Sequence, residues 1–454
     1  MTERVLSIIQ GKNHGKRRVF VLGLDGVPFS LIAELDREGA LPCFRRLLAR
    51  GSLRRMNSVL PCVSSVAWGS YMTGVNPARH GIFGFVDRIP QTMETFVPTS
   101  MHMTGQALWE WLSAHGKTVV VVNVPGTYPP RKVKGILIAG FLCPDINKVA
   151  YPVHVAQDLK AMGYRIDIDS WKARESRDDF LIEVNEALDR RLDAAFRLMQ
   201  DVDWDFFQLH IMETDRINHF LWRHWKENDR VYGPAFLNFY RQVDRYLGLL
   251  VDRMGEGTDL IILSDHGFCE LKREVFLNHW LEQEGFLTMR NGSDRVKDIH
   301  PESRAYSLFP GRVYVNLKGR EATGTVSGER EYETTRQSLI EALQAFTDPD
   351  SGEPIVKTVF KREDVYGGPF LNMAPDLVAV PHDGYDLKGD FGRPVTTMRS
   401  PVVGMHTYDD AFLYVQNREI LRDDDRFSIM DAHGAVLALM NVTRPDGIEA
   451  QELL

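Results

Sequence analysis

Cysteine is scarce in this chain. Cys43, Cys62, Cys143 and Cys269 are its four, and none stands in CxxC spacing, so neither a disulfide framework nor a zinc ribbon is implied. Long hydrophobic runs are lacking too: no stretch approaches the roughly 20 apolar residues of a membrane-spanning helix. The opening residues, MTERVLSIIQGKNHGKRR, have no signal-peptide hydrophobic region and no small-residue cleavage site. A cytoplasmic protein without a membrane span is therefore the default expectation. An excess of positive charge is also missing. Fifty-four Lys and Arg against 62 Asp and Glu leave a formal net charge of −8, which argues against nucleic acid as a partner held through its phosphates. There are no internal repeats and no low-complexity segments.

What is present is an ordinary globular composition, 44% hydrophobic and 26% charged over 454 residues. Short unbroken apolar runs alternate with helical patterns. Val19–Leu24, Thr118–Val122, Asp205–Ile211, Leu260–Leu263, Pro375–Val380 and Ala411–Val415 read as strands buried on both faces. Helices are expected near Pro28–Glu38, Pro42–Arg50, Ala67–Met72, Asp178–Gln200, Tyr240–Val251, Thr334–Phe346 and Ile429–Met440. The rhythm predicts an α/β fold, a mostly parallel central sheet flanked by helices on both faces. Residues 1–17 read as an N-terminal arm. Residues 18–454 read as one domain, with insertions near 145–178 and 291–355.

Several of these strands end at acids or histidines. In DLIILSDHG the buried run ends in Asp265 and His266, and VFVLGL ends in Asp25. Ligands of open α/β sheets bind just beyond the carboxyl ends of strands. In DRINH, Asp215 and His219 are four apart, one turn on one helix face, where they can chelate an ion or stand as an exposed polar pair. Ser64 and Ser65 lie at or just before a helix N-terminus, as caps or as the start of an anion site. His406 stands in the loop GMHTYDD. Together Asp25, Ser64, Asp215, His219, Asp265, His266 and His406 offer three carboxylates, three imidazoles and a hydroxyl. A mixed O/N set without thiolates suits Zn²⁺ or Mn²⁺.

The motifs GLDG, P-x-x-S-x-x-A-W, TG-x-x-P-x-x-HGI, TD-x-x-x-H, SDHG, APD and GMH, in this order, resemble the alkaline phosphatase superfamily in its type I phosphodiesterase/nucleotide pyrophosphatase branch. The resemblance runs from Val19 to the C-terminus. It implies an alkaline-phosphatase-like fold and two divalent ions, Zn²⁺ first and Mn²⁺ second. One ion would sit on Asp215, His219 and His406, the other on Asp25, Asp265 and His266. Ser64, four residues before Trp68, would be the metal-bound nucleophile, and His80 a structural residue of the loop behind it. The family's phosphate-binding Asn after HGI has no counterpart in Phe83-Gly84-Phe85, and Arg88 is the expected substrate-binding donor in its place. The C/S-x-P-x-R frame of sulfatases is absent. The implied activity is hydrolysis of a small-molecule phosphoester, phosphodiester or pyrophosphate before monoester, through a phosphoserine. A phosphomutase, or a non-catalytic binding protein on the same scaffold, is the alternative. Nothing in the sequence sets the oligomeric state.

Overall fold

The computed structural model describes residues 17–391, 395–398, 400–421 and 427–454; the arm read at 1–17 lies outside them except for Arg17. Five of the six apolar runs lie in one sheet of eight strands. In chain order these are β1 (Arg18–Leu24), β2 (Gly51–Met56), β3 (Val119–Val124), β4 (Gly135–Ala139), β5 (Ala150–Tyr151), β6 (Phe206–Ile211), β7 (Thr258–Leu263) and β8 (Ala411–Gln416). Their spatial order is β2-β8-β7-β1-β6-β3-β4-β5. The five central strands β7-β1-β6-β3-β4 are parallel, while β8 and β5 pair antiparallel with their neighbours.

A parallel sheet covered by helices on both faces needs apolar residues at every position of a strand, and alternation decides which core each one joins. In β1, Phe20, Leu22 and Leu24 enter one core, whereas Val19 and Val21 enter the other. That second core is packed by α1 (Ser64–Thr73) and α6 (Ile429–Leu439). The first is packed by α2 (Arg177–Asp201) and α4 (Tyr232–Met254), together with α3 (Glu213–Lys226). Among the described residues no helix is long and apolar enough to cross a membrane.

The insertion read at 291–355 is wider than that. Ala305–Leu308, Arg312–Val315, Leu377–Pro381 and Val356–Lys361 form a separate antiparallel sheet. Its helix is α5 (Gly328–Ala345), and it has its own hydrophobic core. Arg273–Phe276 with Tyr385–Lys388 and Thr396–Thr397 adds three short strands. The run at Pro375–Val380 thus belongs to the smaller unit and not to the main sheet. A short apolar run shows that a strand is buried, and not against which sheet. The segment 145–178 contributes edge strand β5 and two short helices, Val155–Ala161 and Ser170–Glu175.

Candidate active site

Strand parity assembles the site. Residues 19, 21 and 23 of β1 face α1, and Asp25 continues that series past the strand end. Gly23 leaves the room this needs: a Cβ there would lie 2.6 Å from the Trp68 ring. In β6, Phe206, Gln208 and His210 face the same way; Gln208 accepts a hydrogen bond from Tyr71 Oη of α1 at 2.7 Å. Ile261 and Leu263 of β7 point to this core, and Asp265 follows in their register.

Helix α1 begins at Ser64 itself, three residues earlier than the sequence suggests, and neither serine is its cap: Val63 holds that position without a side-chain bond. Ser64 Oγ lies 3.1 Å from Asp25 Oδ1 and 3.3 Å from His266 Nε2. His266 Nε2 is 3.6 Å from Asp25 Oδ1 and 3.4 Å from Asp265 Oδ2. A second cluster adjoins the first. Asp215 Oδ1 is 3.4 Å from His219 Nε2 and 3.2 Å from His406 Nε2, and the two imidazole nitrogens are 3.0 Å apart. His406 stacks on His266 with 3.6 Å between ring centres, which joins the clusters. All seven expected site residues outside Arg88 therefore converge on one place.

These donors fit divalent metal. Ligands of a tetrahedral ion such as zinc, at about 2.0–2.1 Å, stand about 3.3–3.4 Å from one another, close to the separations in both clusters. Asp215 Oδ1 and Asp265 Oδ2 are buried and accept no hydrogen bond among the described residues. Each carboxylate is divided in the same way. Asp25 Oδ2 accepts from Trp68 Nε1 and His210 Nε2, both at 2.9 Å. Asp265 Oδ1 accepts the Gly26 N–H at 3.0 Å, and Asp215 Oδ2 accepts from Arg216 at 2.9 Å. One oxygen is held by the protein and the other is turned to the site.

Electrostatics agrees. Burial, reinforced by neighbouring Asp25, pushes the Asp265 carboxyl well above the usual range. Burial acts on Asp215 in the same sense, but His219, His406 and Arg216 outweigh it and hold that carboxyl low. Burial lowers His219 to about 4, and burial with His406 alongside lowers His266 to about 3. These two imidazoles are neutral at physiological pH, with lone pairs to give, beside acids crowded in low dielectric. Such a place suits a divalent cation.

Arg88 does not join them. It is fully buried, donating to Tyr306 Oη at 2.6 Å, Met373 O at 2.9 Å and Glu321 at 3.0 Å. Its donors tie the 81–96 segment to the smaller unit, so the substrate-binding role expected from its place after HGI is corrected to a structural one. His80 is structural, as expected: it is buried, accepts from the Ile82 N–H at 3.2 Å and lies 3.0 Å from Ser70 Oγ. Asp376 of the APD motif likewise bonds Arg320 and Tyr332 within the smaller unit. Sequence reasoning missed His210, Arg216 and Asp167. A His in the buried run FFQLHI, on the same strand face as Gln208, was a usable signal for the first; nothing in the spacing marked the other two.

The sequence matches the model of the type I phosphodiesterase / nucleotide pyrophosphatase family over residues 19–409. No curated protein matches it. Among solved structures, phosphonoacetate hydrolase from Sinorhizobium meliloti 1021, in complex with phosphonoacetate, is similar with a TM-score of 0.65 at 18% identity, over 95% of this chain and 98% of that one. Human ectonucleotide pyrophosphatase / phosphodiesterase 5 gives 0.56 at 15% identity, over 96% and 97%. Its murine counterpart, in an inactive form in complex with AMP, gives 0.56 at 14%, over 95% and 96%. At such identities the structural likeness speaks for the fold, which is alkaline-phosphatase-like. With the family model spanning most of its length, the chain belongs to the type I phosphodiesterase / nucleotide pyrophosphatase family and is a phosphoester hydrolase.

Proposed function

We propose that the protein hydrolyses phosphodiester or pyrophosphate bonds of small molecules with two divalent ions and a phosphoserine formed on Ser64. The observation that carries this reading is the position of Ser64 Oγ, 3.1 Å from Asp25 Oδ1 and 3.3 Å from His266 Nε2 at the opening of α1. Asp25, Asp265 and His266 would hold one ion, and Asp215, His219 and His406 the other, with Zn²⁺ preferred and Mn²⁺ second. When bound, the pair supplies the Lewis acidity that makes a serine oxygen nucleophilic near neutral pH and offsets phosphoryl charge.

The chain's own groups do the rest. Ser64 Oγ forms a bond to phosphorus as the bond to the leaving oxygen breaks; the hydroxyl proton goes to solvent, and the leaving oxygen takes one from it. The first amides of α1 have no intrahelical acceptor and sit at the positive end of the helix dipole, so they favour the phosphoryl oxygens. Water then attacks phosphorus, the Oγ–P bond breaks, and the hydroxyl is restored. The preference for diesters rests on the family, and the four unpaired cysteines accord with a reducing, cytoplasmic setting.

The test is turnover of a phosphomonoester, a phosphodiester, a dinucleoside pyrophosphate, phosphonoacetate and a sulfate ester, each with Zn²⁺ or Mn²⁺, alongside elemental analysis of metal-replete protein. Diester or pyrophosphate cleavage with close to two ions per chain is expected. At most one ion per chain overturns the two-metal reading, and exclusive monoester turnover overturns the substrate class.

A further inference from the structure

Of the three carboxylates that face the site, Asp25 has its rear oxygen held by an indole and an imidazole, and Asp265 by a backbone N–H. Asp215 differs. Its Oδ2 accepts a charge-assisted bond from Arg216 Nη1 at 2.9 Å, while Oδ1 is turned to His219 and His406. Arg216 is itself fixed from behind. Asp167, in the segment before α2, accepts from Nε at 3.2 Å and from Nη2 at 2.6 Å. The guanidinium also lies over the Phe141 ring, 4.9 Å from its centre. Three contacts thus fix one planar group, and the Arg216 and Asp167 side chains are no more than 13% and 18% exposed. Such fixation has no role in binding a mobile ligand; it fits a group that must hold still.

We infer that Arg216, held by Asp167, is a positioning residue that restricts Asp215 to ligation through one oxygen and so keeps a coordination place open for the substrate's phosphoryl oxygen. The inference rests on the two-ion reading above. A carboxylate can give one oxygen or two to a cation, and a catalytic site needs a vacant position that a structural one fills. With Oδ2 engaged by a cation, the second oxygen is removed from competition for that position. Arg216 also adds positive charge behind the ligand, and the Asp167 carboxylate offsets most of it.

Two substitutions then act in opposite senses. Arg216→Met frees Oδ2 and removes a neighbouring cation, so the ion on the Asp215 side should bind as tightly as before or more tightly. Inorganic phosphate should bind the zinc-loaded protein about tenfold more weakly, the lower end of effects seen for groups behind metal ligands. Asp167→Asn leaves the Arg216 charge without its partner, so affinity for that ion should fall about tenfold while Asp215 stays one-armed and phosphate binding to the saturated protein is kept. Calorimetric titration of chelator-treated protein with Zn²⁺, then of the loaded protein with phosphate, reads both quantities, with melting curves run in parallel. Loss of the Asp215-side ion in Arg216→Met, or unchanged phosphate affinity there, overturns the inference. If Arg216→Met does not fold, Asp167→Asn decides alone: wild-type Zn²⁺ affinity, or lost phosphate binding at saturation, overturns it. A wild-type protein that binds fewer than two ions sinks the two-ion reading instead, and this inference with it.

Discussion

Ser64 and Ser65 are adjacent in sequence and differ entirely in surroundings. Ser64 Oγ faces Asp25 and His266, whereas the buried Ser65 Oγ meets no hydrogen-bond partner among the described residues. Both belong to the first turn of α1, so about 100° of helical rotation separates them, and the helix turn, not extended-chain alternation, directs one of them to the site. Ser64→Ala should abolish turnover, and Ser65→Ala should keep a measurable fraction. Rapid quenching followed by peptide mass analysis should locate phosphate on Ser64; phosphate on Ser65 would reverse the assignment. A second expectation follows from Asp265, buried against Asp25 with its carboxyl pushed well above the usual range. Two acids so close repel one another in metal-free protein. Asp265→Asn should therefore remove activity yet leave the metal-free melting temperature unchanged or higher. A large drop would show the carboxylate to be a structural group.

At the scale of elements, the strand ends were the most legible part of the site, for a physical reason. A strand buried on both faces reads as an unbroken apolar run, so an acid at its end stands out, as Asp25 and Asp265 do. Parity then carries such residues to one face without tertiary information. Legibility stopped where partners come from elsewhere in the chain. Arg216 is unremarkable until Asp167, forty-nine residues away, is brought against it, and the VAV of Leu377–Pro381 looks the same whichever sheet receives it. Gly23 tests how tightly strand and helix are matched. A methyl group there would lie 2.6 Å from Trp68 Cη2, and Trp68 is fully buried while donating to Asp25. Gly23→Ala should cost about 1–3 kcal/mol through overpacking, with activity falling as Trp68 and Asp25 shift together. Thermal melts and kcat would check it; unchanged values for both would mean the indole has room to move.

Across the whole molecule, the smaller unit is fastened to the main one by buried charge. Arg88 is enclosed by Tyr306, Met373 O and Glu321 and lies 3.9 Å over the Tyr314 ring. Nearby, Arg312 donates to Val86 O, and Tyr366 Oη donates to Leu60 O at 3.0 Å. A cap that must open and close, as a mutase would need, is poorly served by buried ionic contacts, because separating them exposes or strands charges. The same contacts account for Arg88 as a structural group and not the substrate-binding donor that its place in the sequence suggests. The motif places it just beyond HGI, and sequence spacing carries no record of the smaller unit folding over it. The two roles predict different data. Removing one partner of a buried pair costs about 3–5 kcal/mol, whereas removing both is far milder. Arg88→Met should therefore lower the melting temperature sharply, and Arg88→Met with Glu321→Gln should recover part of the loss. Lysine cannot reproduce the forked contacts and should rescue little. If Arg88 held substrate, Arg88→Met would instead raise KM at nearly unchanged stability, and the double variant would recover nothing.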